Sequence, residues 1–127
     1  MNGNFVVNGT KSAGVKLPDG RSVALYAVES PENWFEDFGT AHLTNGKATV
    51  QLDKDFLGSV TLAGEYHVFL TANGACGVYV SQKSPTGLEV RRLGNKKCNE
   101  SFDYRVVAKR RGFEKVRMET IKEPEPK

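Results

Sequence analysis

Asn-Gly or Asp-Gly pairs recur along the chain, at Asn2-Gly3, Asn8-Gly9, Asp19-Gly20, Asn45-Gly46 and Asn73-Gly74. Such pairs accept positive φ at little cost and suit the tight turns that join antiparallel strands. Between them lie short runs rich in β-branched and aromatic residues: NFVV, SVALYAVE, TAHL, KATVQL, SVTL, YHVFLT, GVYVSQ, GLEVRRL and SFDYRVVAKR. Each run reads as a strand, and their spacing predicts an all-β chain, an antiparallel β-sandwich or barrel-like domain with little helix.

Finer placement follows from the turns. Asn73-Gly74 is expected to close a hairpin, and Ser84-Pro85-Thr86-Gly87 a second, with Pro85 presetting φ and Gly87 taking the left-handed position, so that three strands form a meander. The chain then turns at Gly94-Asn95-Lys96-Lys97 into a long last strand whose Phe102, Tyr104 and Val106 share one face by two-residue alternation. QLDKDFLGSV holds the one candidate helical turn, capped by Asp53, with Phe56 and Leu57 pointing inward.

The 127 residues suit a single domain, read as 1–116, followed by a charged, proline-containing tail over 117–127. A formal charge of +3 spread along the sequence argues against nucleic acid as a partner, although Lys109, Arg110, Arg111, Lys115 and Arg117 gather around Phe113. That run reads as a solvated strand end or a patch for acidic residues of a neighbouring subunit. No stretch reaches the roughly 20 apolar residues of a membrane helix, so no membrane insertion is expected, and the first residues lack signal-peptide character. Cys76 and Cys98 can make at most one bridge. Their spacing leaves pairing open, with buried free thiols the expected state.

The densest chemistry lies in ESPENWFEDF, where Glu29, Glu32, Glu36 and Asp37 surround the sole tryptophan, Trp34. A glycosidase needs two carboxyl groups, one held protonated against an apolar wall, and Glu32 and Glu36 beside Trp34 are the candidate pair. Both come from one short segment, whereas such pairs usually converge from separate elements. The preferred reading is an ordered loop in which Ser30-Pro31 bends the chain and Trp34, Phe35 and Phe38 pack into a core or an interface. His42 and His67 sit in strand-like runs and read as sheet histidines rather than bases or ligands. No nucleophile elbow, zinc motif or P-loop is present, so no catalytic residue, metal or cofactor is assigned.

LYAVESPENWFEDFGTAHLTNGKATVQLD, YHVFLTANGACGVYVSQKSPTGLEVRRL and SFDYRVVAKRRGFE together resemble a family of β-rich modules found toward the C-terminal ends of phage tail-fibre-like and bacterial surface chains. The likeness spans roughly residues 3 to 115. Lys96, Lys97 and Cys98 depart from it, standing where the pattern has small polar residues. The resemblance implies a homotrimer without catalytic activity, located on a virion or cell surface as part of a larger assembly. Function would then be structural or adhesive, with multivalent contact to a cell-surface glycan or protein. The loops Ala72 to Ala75 and Ser84 to Gly87, at one end of the strands, would present Asn73, Gly74, Ser84 and Thr86 to that ligand. Trp34, Phe35 and Phe38 would form the seam between subunits. The alternatives are a carbohydrate-active enzyme using Glu32 and Glu36, or a scaffold that only caps a fibre.

Overall fold

The structure, a computed structural model, describes residues 5–122. In chain order the elements are β1 (Ser12–Lys16), β2 (Ser22–Tyr26), β3 (Trp34–His42), β4 (Lys47–Gln51), α1 (Lys54–Ser59), β5 (Val60–Thr61), β6 (His67–Ala72), β7 (Val78–Lys83), β8 (Gly87–Arg92) and β9 (Ser101–Arg110). Every ladder is antiparallel, as the alternating sequence runs and turn pairs lead one to expect. Contacts divide the chain into two units, residues 1–30 and 31–127, where the sequence reading placed one domain over 1–116.

The first unit holds the β1–β2 hairpin, with Ser12 opposite Tyr26 and Lys16 opposite Ser22. Its loop is fastened by Leu17 N–H donating to the Arg21 carbonyl at 2.8 Å and by Gly20 at φ 91°. The strand β1 escaped the sequence reading because SAGVK offers little β-branched or aromatic character. The expected NFVV strand is not formed over Phe5–Val7, which carry no ladder. Asn2-Gly3 and Asn4 lie outside the described residues.

The second unit is organised by β9. Phe102, Val106 and Ala108 are fully buried on one face of that strand, with Tyr104 partly buried between them. β3 pairs along one side of β9 for its whole length, while β5 and β6 share the other side. β4, β8 and β7 form a separate sheet with β8 central. Ala48 and Val50 from β4 and Leu88 and Val90 from β8 join the β9 side chains in one core with Leu43, Leu52, Val60 and Leu62. Each fully buried Val, Leu or Phe side chain stabilises the fold by about 1.5–3 kcal/mol. Tyr66 fastens the two sheets: its hydroxyl reaches the carbonyls of Ser84 and Gly87 at 3.0 Å each. Burial raises that phenol above its ordinary pKa, partly offset by the Ser84 hydrogen bond.

Several local expectations are met. Asp53 caps α1 by accepting the Phe56 N–H at 2.9 Å, and Phe56 and Leu57 pack against the core. Asn45 and Gly46 take φ of 53° and 79° in the β3–β4 turn.

Others are corrected. Trp34 to Phe38 belongs to a nine-residue strand rather than a loop. β6 and β7 are not a hairpin across Asn73-Gly74, because β6 pairs with β9 and β7 with β8, so the connection crosses between sheets. Gly87 does not take a left-handed turn. It is a strand residue whose missing side chain lets the Val50 carbonyl approach. Cys76 and Cys98 form a disulfide with Cα atoms 6.5 Å apart, inside the normal range, which overturns the free-thiol reading. Part of the expected tail is also tied down, since Met118 N–H donates to the Pro31 carbonyl at 2.8 Å. Residues 123–127 lie outside the described residues.

Two glycines separate close packing from open space. Gly87→Ala is expected to destabilise by about 1–3 kcal/mol, since the new methyl meets the Val50 backbone. Gly58→Ala, in α1 with nothing near its Cβ, is expected to stabilise by about 0.5–1 kcal/mol. Urea unfolding of both variants checks the contrast, and equal effects would contradict the β4–β8 register. Reduction of the disulfide should cost about 3 kcal/mol for the 22-residue separation it closes, read from the same curves with and without reductant.

Candidate functional site

Cross-strand register decides which side chains meet. Trp34 lies opposite Lys109, Glu36 opposite Val107, and Phe38 opposite Arg105, while Phe69 of β6 lies opposite Arg105 from the other side. Directly opposed residues share a sheet face. These residues therefore occupy the side of β9 away from Phe102 and Val106. Glu36 lies on this open face beside Arg105, whereas Asp37, its neighbour in β3, lies opposite buried Val106 on the other face.

At one end of this face a cleft of about 530 Å³ is lined by Glu32, Trp34, Thr61, Ala63, Gly64, Glu65, His67, Lys109 and Glu114. That volume falls in the range of small-ligand pockets. Trp34 and His67, contributed by the strands flanking β9, have ring centroids 5.3 Å apart at an interplanar angle of 49°. Lys109 Nζ sits 3.0 Å from Glu32 Oε2, donates to the Glu114 carbonyl at 3.0 Å and lies 5.6 Å from the Trp34 ring centroid. Arg117 Nη1 approaches Glu32 Oε1 at 3.4 Å.

The electrostatics follow from these contacts. The Lys109 hydrogen bond holds the Glu32 carboxyl below its ordinary range, with Arg117 and the Trp34 indole adding to the effect against the penalty of burial. Glu114 is also lowered, chiefly because it accepts the Gly112 N–H at 2.9 Å. Both displaced carboxyl groups thus favour the anion, opposite to what a proton donor needs. Glu36 is not part of the cleft lining; it pairs with Arg105 at 2.7 Å farther along β3. The Glu32/Glu36 pair expected of an enzyme is accordingly not assembled in one pocket. Glu65 and Glu114 converge there instead, from segments before β6 and after β9.

No known family model matches the chain, and no curated protein matches it. The cleft is therefore read from its own chemistry.

The other expected site residues are dispersed. Asn73 follows the last residue of β6, whereas Ser84 and Gly87 bind Tyr66, which precedes the first. The two loops lie at opposite ends of the strand, because successive connections of an up-and-down path alternate ends; their expected placement at one end is corrected. Asn73 Nδ2 donates to Ser101 Oγ and Asp103 Oδ1, at 3.2 and 3.0 Å. Asp103 also accepts from Thr40 and is lowered in pKa by both bonds, that from Asn73 first. A Cβ on Gly74 would meet the Glu100 carboxylate. Ser84 Oγ accepts from Gly87 N–H at 3.1 Å and Thr86 N–H at 3.3 Å, closing its own turn.

Of the expected seam, Trp34 is half-buried and lines the cleft. Phe35 lies opposite buried Ala108 with the Arg110 guanidinium 5.6 Å from its ring centroid. Phe38 is 62% exposed and does not anchor the core. Phe69 is 55% exposed, with the Arg105 guanidinium 5.4 Å from its centroid. His67, Lys109, Glu65 and Glu114 are the functional candidates that sequence reasoning missed. They lie far from Trp34 in sequence, and only the pairing of β3 and β6 with β9 joins them.

Among the described residues, Cys76, Cys98 and Glu100 form a grouping with metal-ligand spacing, but the two sulfurs are bonded to each other. No described helix is long and apolar enough to cross a membrane.

The lowered Glu32 pKa has a definite pH signature. Its folded-state value lies below the unfolded one, so its stabilisation is present above the ordinary glutamate range near pH 4.3 and is lost as pH falls through the folded value. Lys109→Met should return the Glu32 titration toward the ordinary value, followed by NMR of the carboxyl carbon. An unchanged midpoint would show that Lys109 does not hold the carboxylate.

Proposed function

We propose that the chain is a non-enzymatic binding and adhesion module, in whose second unit, a two-sheet sandwich, the Trp34 cleft receives a sugar of a cell-surface glycan. One observation carries the reading: a half-buried tryptophan, tilted against His67, forms one wall of a cleft whose charged groups are three carboxylates and a lysine. Sugar rings present an apolar face that suits an indole and an edge of hydroxyls that suits charged acceptors and donors. The Lys109 and Glu32 pair holds the cleft side chains in place, so little ordering is left for the ligand to impose.

The resemblance to tail-fibre and surface modules supports the same direction and suggests a homotrimer on a virion or cell surface. The exposed rings of Phe38 and Phe69, and the side of β3 that carries no ladder among the described residues, are surfaces that assembly of copies would cover. Weak single-site binding would then be multiplied by valency.

A second reading, cleavage of the bound glycan, draws on the convergence of Glu65 and Glu114 in the same cleft. The downward shift of both Glu32 and Glu114 favours binding over catalysis.

Because Trp34 is the sole tryptophan, its fluorescence reports the cleft directly. Bacterial surface polysaccharide fragments are expected to shift that emission saturably, and Trp34→Ala to weaken binding by about tenfold or more in calorimetry while leaving the fold intact. Binding that survives Trp34→Ala would reject the cleft. Release of new reducing ends, lost in Glu65→Gln or Glu114→Gln, would favour the enzyme. Light scattering is expected to give about three times the 14.0 kDa chain mass, and a monomer would remove the trimer.

A further inference from the structure

A second concave site lies on the other sheet, at the end of β4 and β8 next to the Asn45-Gly46 turn. It encloses about 410 Å³ and is lined by Asn45, Gly46, Lys47, Tyr79, Arg91, Arg92, Gly94 and Asn95. Three of these residues are cations and none is an acid. Register explains the gathering: Lys47 and Tyr79 both lie opposite Arg91, from the two strands flanking β8, so all three project from one face.

Like charges directly opposed across a sheet destabilise it. Glu89 relieves part of this cost, holding Arg91 at 2.6 Å and Lys47 at 3.5 Å. Its own carboxyl is lowered in pKa, first by Arg91 and then by Ser81. One carboxylate therefore serves two of the three cations.

Arg92 is placed differently. Its guanidinium packs on Gly46, where any Cβ would collide with it, and Nη1 donates to the Asn45 carbonyl at 2.7 Å. The backbone N–H of Arg92 bonds the Gly46 carbonyl at 2.9 Å, so strand and turn hold the side chain from both sides. Its Nε is the one buried side-chain nitrogen or oxygen among the described residues that has no hydrogen-bond partner. Lys96 and Lys97, just beyond Asn95, add further positive charge to the same loop.

We infer that this pocket is a binding site for a tetrahedral oxyanion, a sulfate or phosphate group. Such a group accepts several hydrogen bonds at once, which suits a lysine and two arginines lining one concavity. Tyr79 offers an aromatic edge against which the carrier of the group can lie. The surplus of positive charge around Lys47, Arg91 and Arg92, uncompensated by Glu89, becomes a ligand site rather than an unrelieved repulsion. The inference stands independently of the Trp34 cleft, since no lining residue is shared.

The test is an amide NMR titration of the full chain with sodium sulfate and, separately, inorganic phosphate, at ionic strength held constant with chloride. Saturable shifts confined to residues around Gly46, Lys47, Arg92 and Asn95 are expected, with the Trp34 cleft unmoved. Arg92→Gln should weaken binding by about tenfold, and Lys47→Gln, at an exposed side chain that is not needed for folding, by several-fold. Linear shifts spread over all lysines and arginines, or affinities unchanged in both variants, would overturn the site. A sulfated disaccharide and its desulfated form identify the source. Tighter binding of the sulfated sugar points to an ester group on a glycan, equal affinity to the free ion, and either result upholds the oxyanion site.

Discussion

The two-sided pairing of β9 is the constraint on which the second unit depends. Ser101–Arg110 is bonded to β3 along one edge and to β5 and β6 along the other, so its position sets the register of three strands at once. Its inward residues, Phe102, Val106 and Ala108, close the core against Val50, Leu88 and Val90. Its outward residues, Lys109, Arg105 and Asp103, organise everything on the open face: Lys109 meets Glu32 and Trp34, Arg105 meets Glu36 and Phe69, and Asp103 meets Thr40 and Asn73. A single alternation thus builds the core with one half of the strand and the candidate cleft with the other. A register slip by one residue would exchange the two and lose both.

Much of the architecture was legible from local pattern. β4, β6, β7, β8 and β9 fall where alternating β-branched and aromatic residues placed them, because those strands bury one face against a core. Asp53 and the residues three positions on reveal α1 through capping alone. The failures share a cause. The Trp34–Phe38 half of β3 reads as a loop because its carboxylates lower local β-propensity, and the Arg105 ion pair that holds Glu36 in the strand comes from β9, far away in sequence. β1 pairs with β2 alone and carries no buried face from which alternation could be read. The β6–β7 connection resembled a hairpin because Asn73-Gly74 is turn chemistry, yet turn chemistry does not say whether the chain returns to the same sheet or crosses to the next.

The candidate site was legible only in part. Trp34 and Glu32 stood out by density of chemistry, and both line the cleft. Their partners His67, Lys109, Glu65 and Glu114 are long-range neighbours that no spacing rule connects. Lys109 in particular was submerged in a basic run, where its neighbours have different duties: Arg110 covers the rings of Phe35 and Phe113, and Arg111 binds the carbonyls of Leu57, Gly58 and Val60 beside α1. Lys109, Arg110 and Arg111 are therefore divided residue by residue among structural contacts.

The disulfide has a place in this division of labour. Segment 98–101 accepts hydrogen bonds from two connections of the unit, β3–β4 and β6–β7: Cys98 carbonyl from Gly46, Asn99 Oδ1 from Asn45, Glu100 carbonyl from Leu43, and Ser101 carbonyl from Asn73. Glu100 Oε2 also accepts the Cys76 N–H at 3.1 Å, so Cys76 is tied to this segment by a hydrogen bond as well as by the disulfide. The bridge therefore joins the connection between β6 and β7 to the segment that carries the Asn45-Gly46 turn, and that turn in turn supports the Arg92 guanidinium. The cation-rich pocket stands beside the Asn45-Gly46 turn on the β4–β8–β7 sheet, whereas the Trp34 cleft stands where β3 begins and β9 ends. Rigidity at the first end comes from a covalent loop closure and rigidity at the second from the partly exposed ion pair of Glu32 and Lys109. Two chemically different surfaces can then be held on one small unit without either depending on the other for its shape.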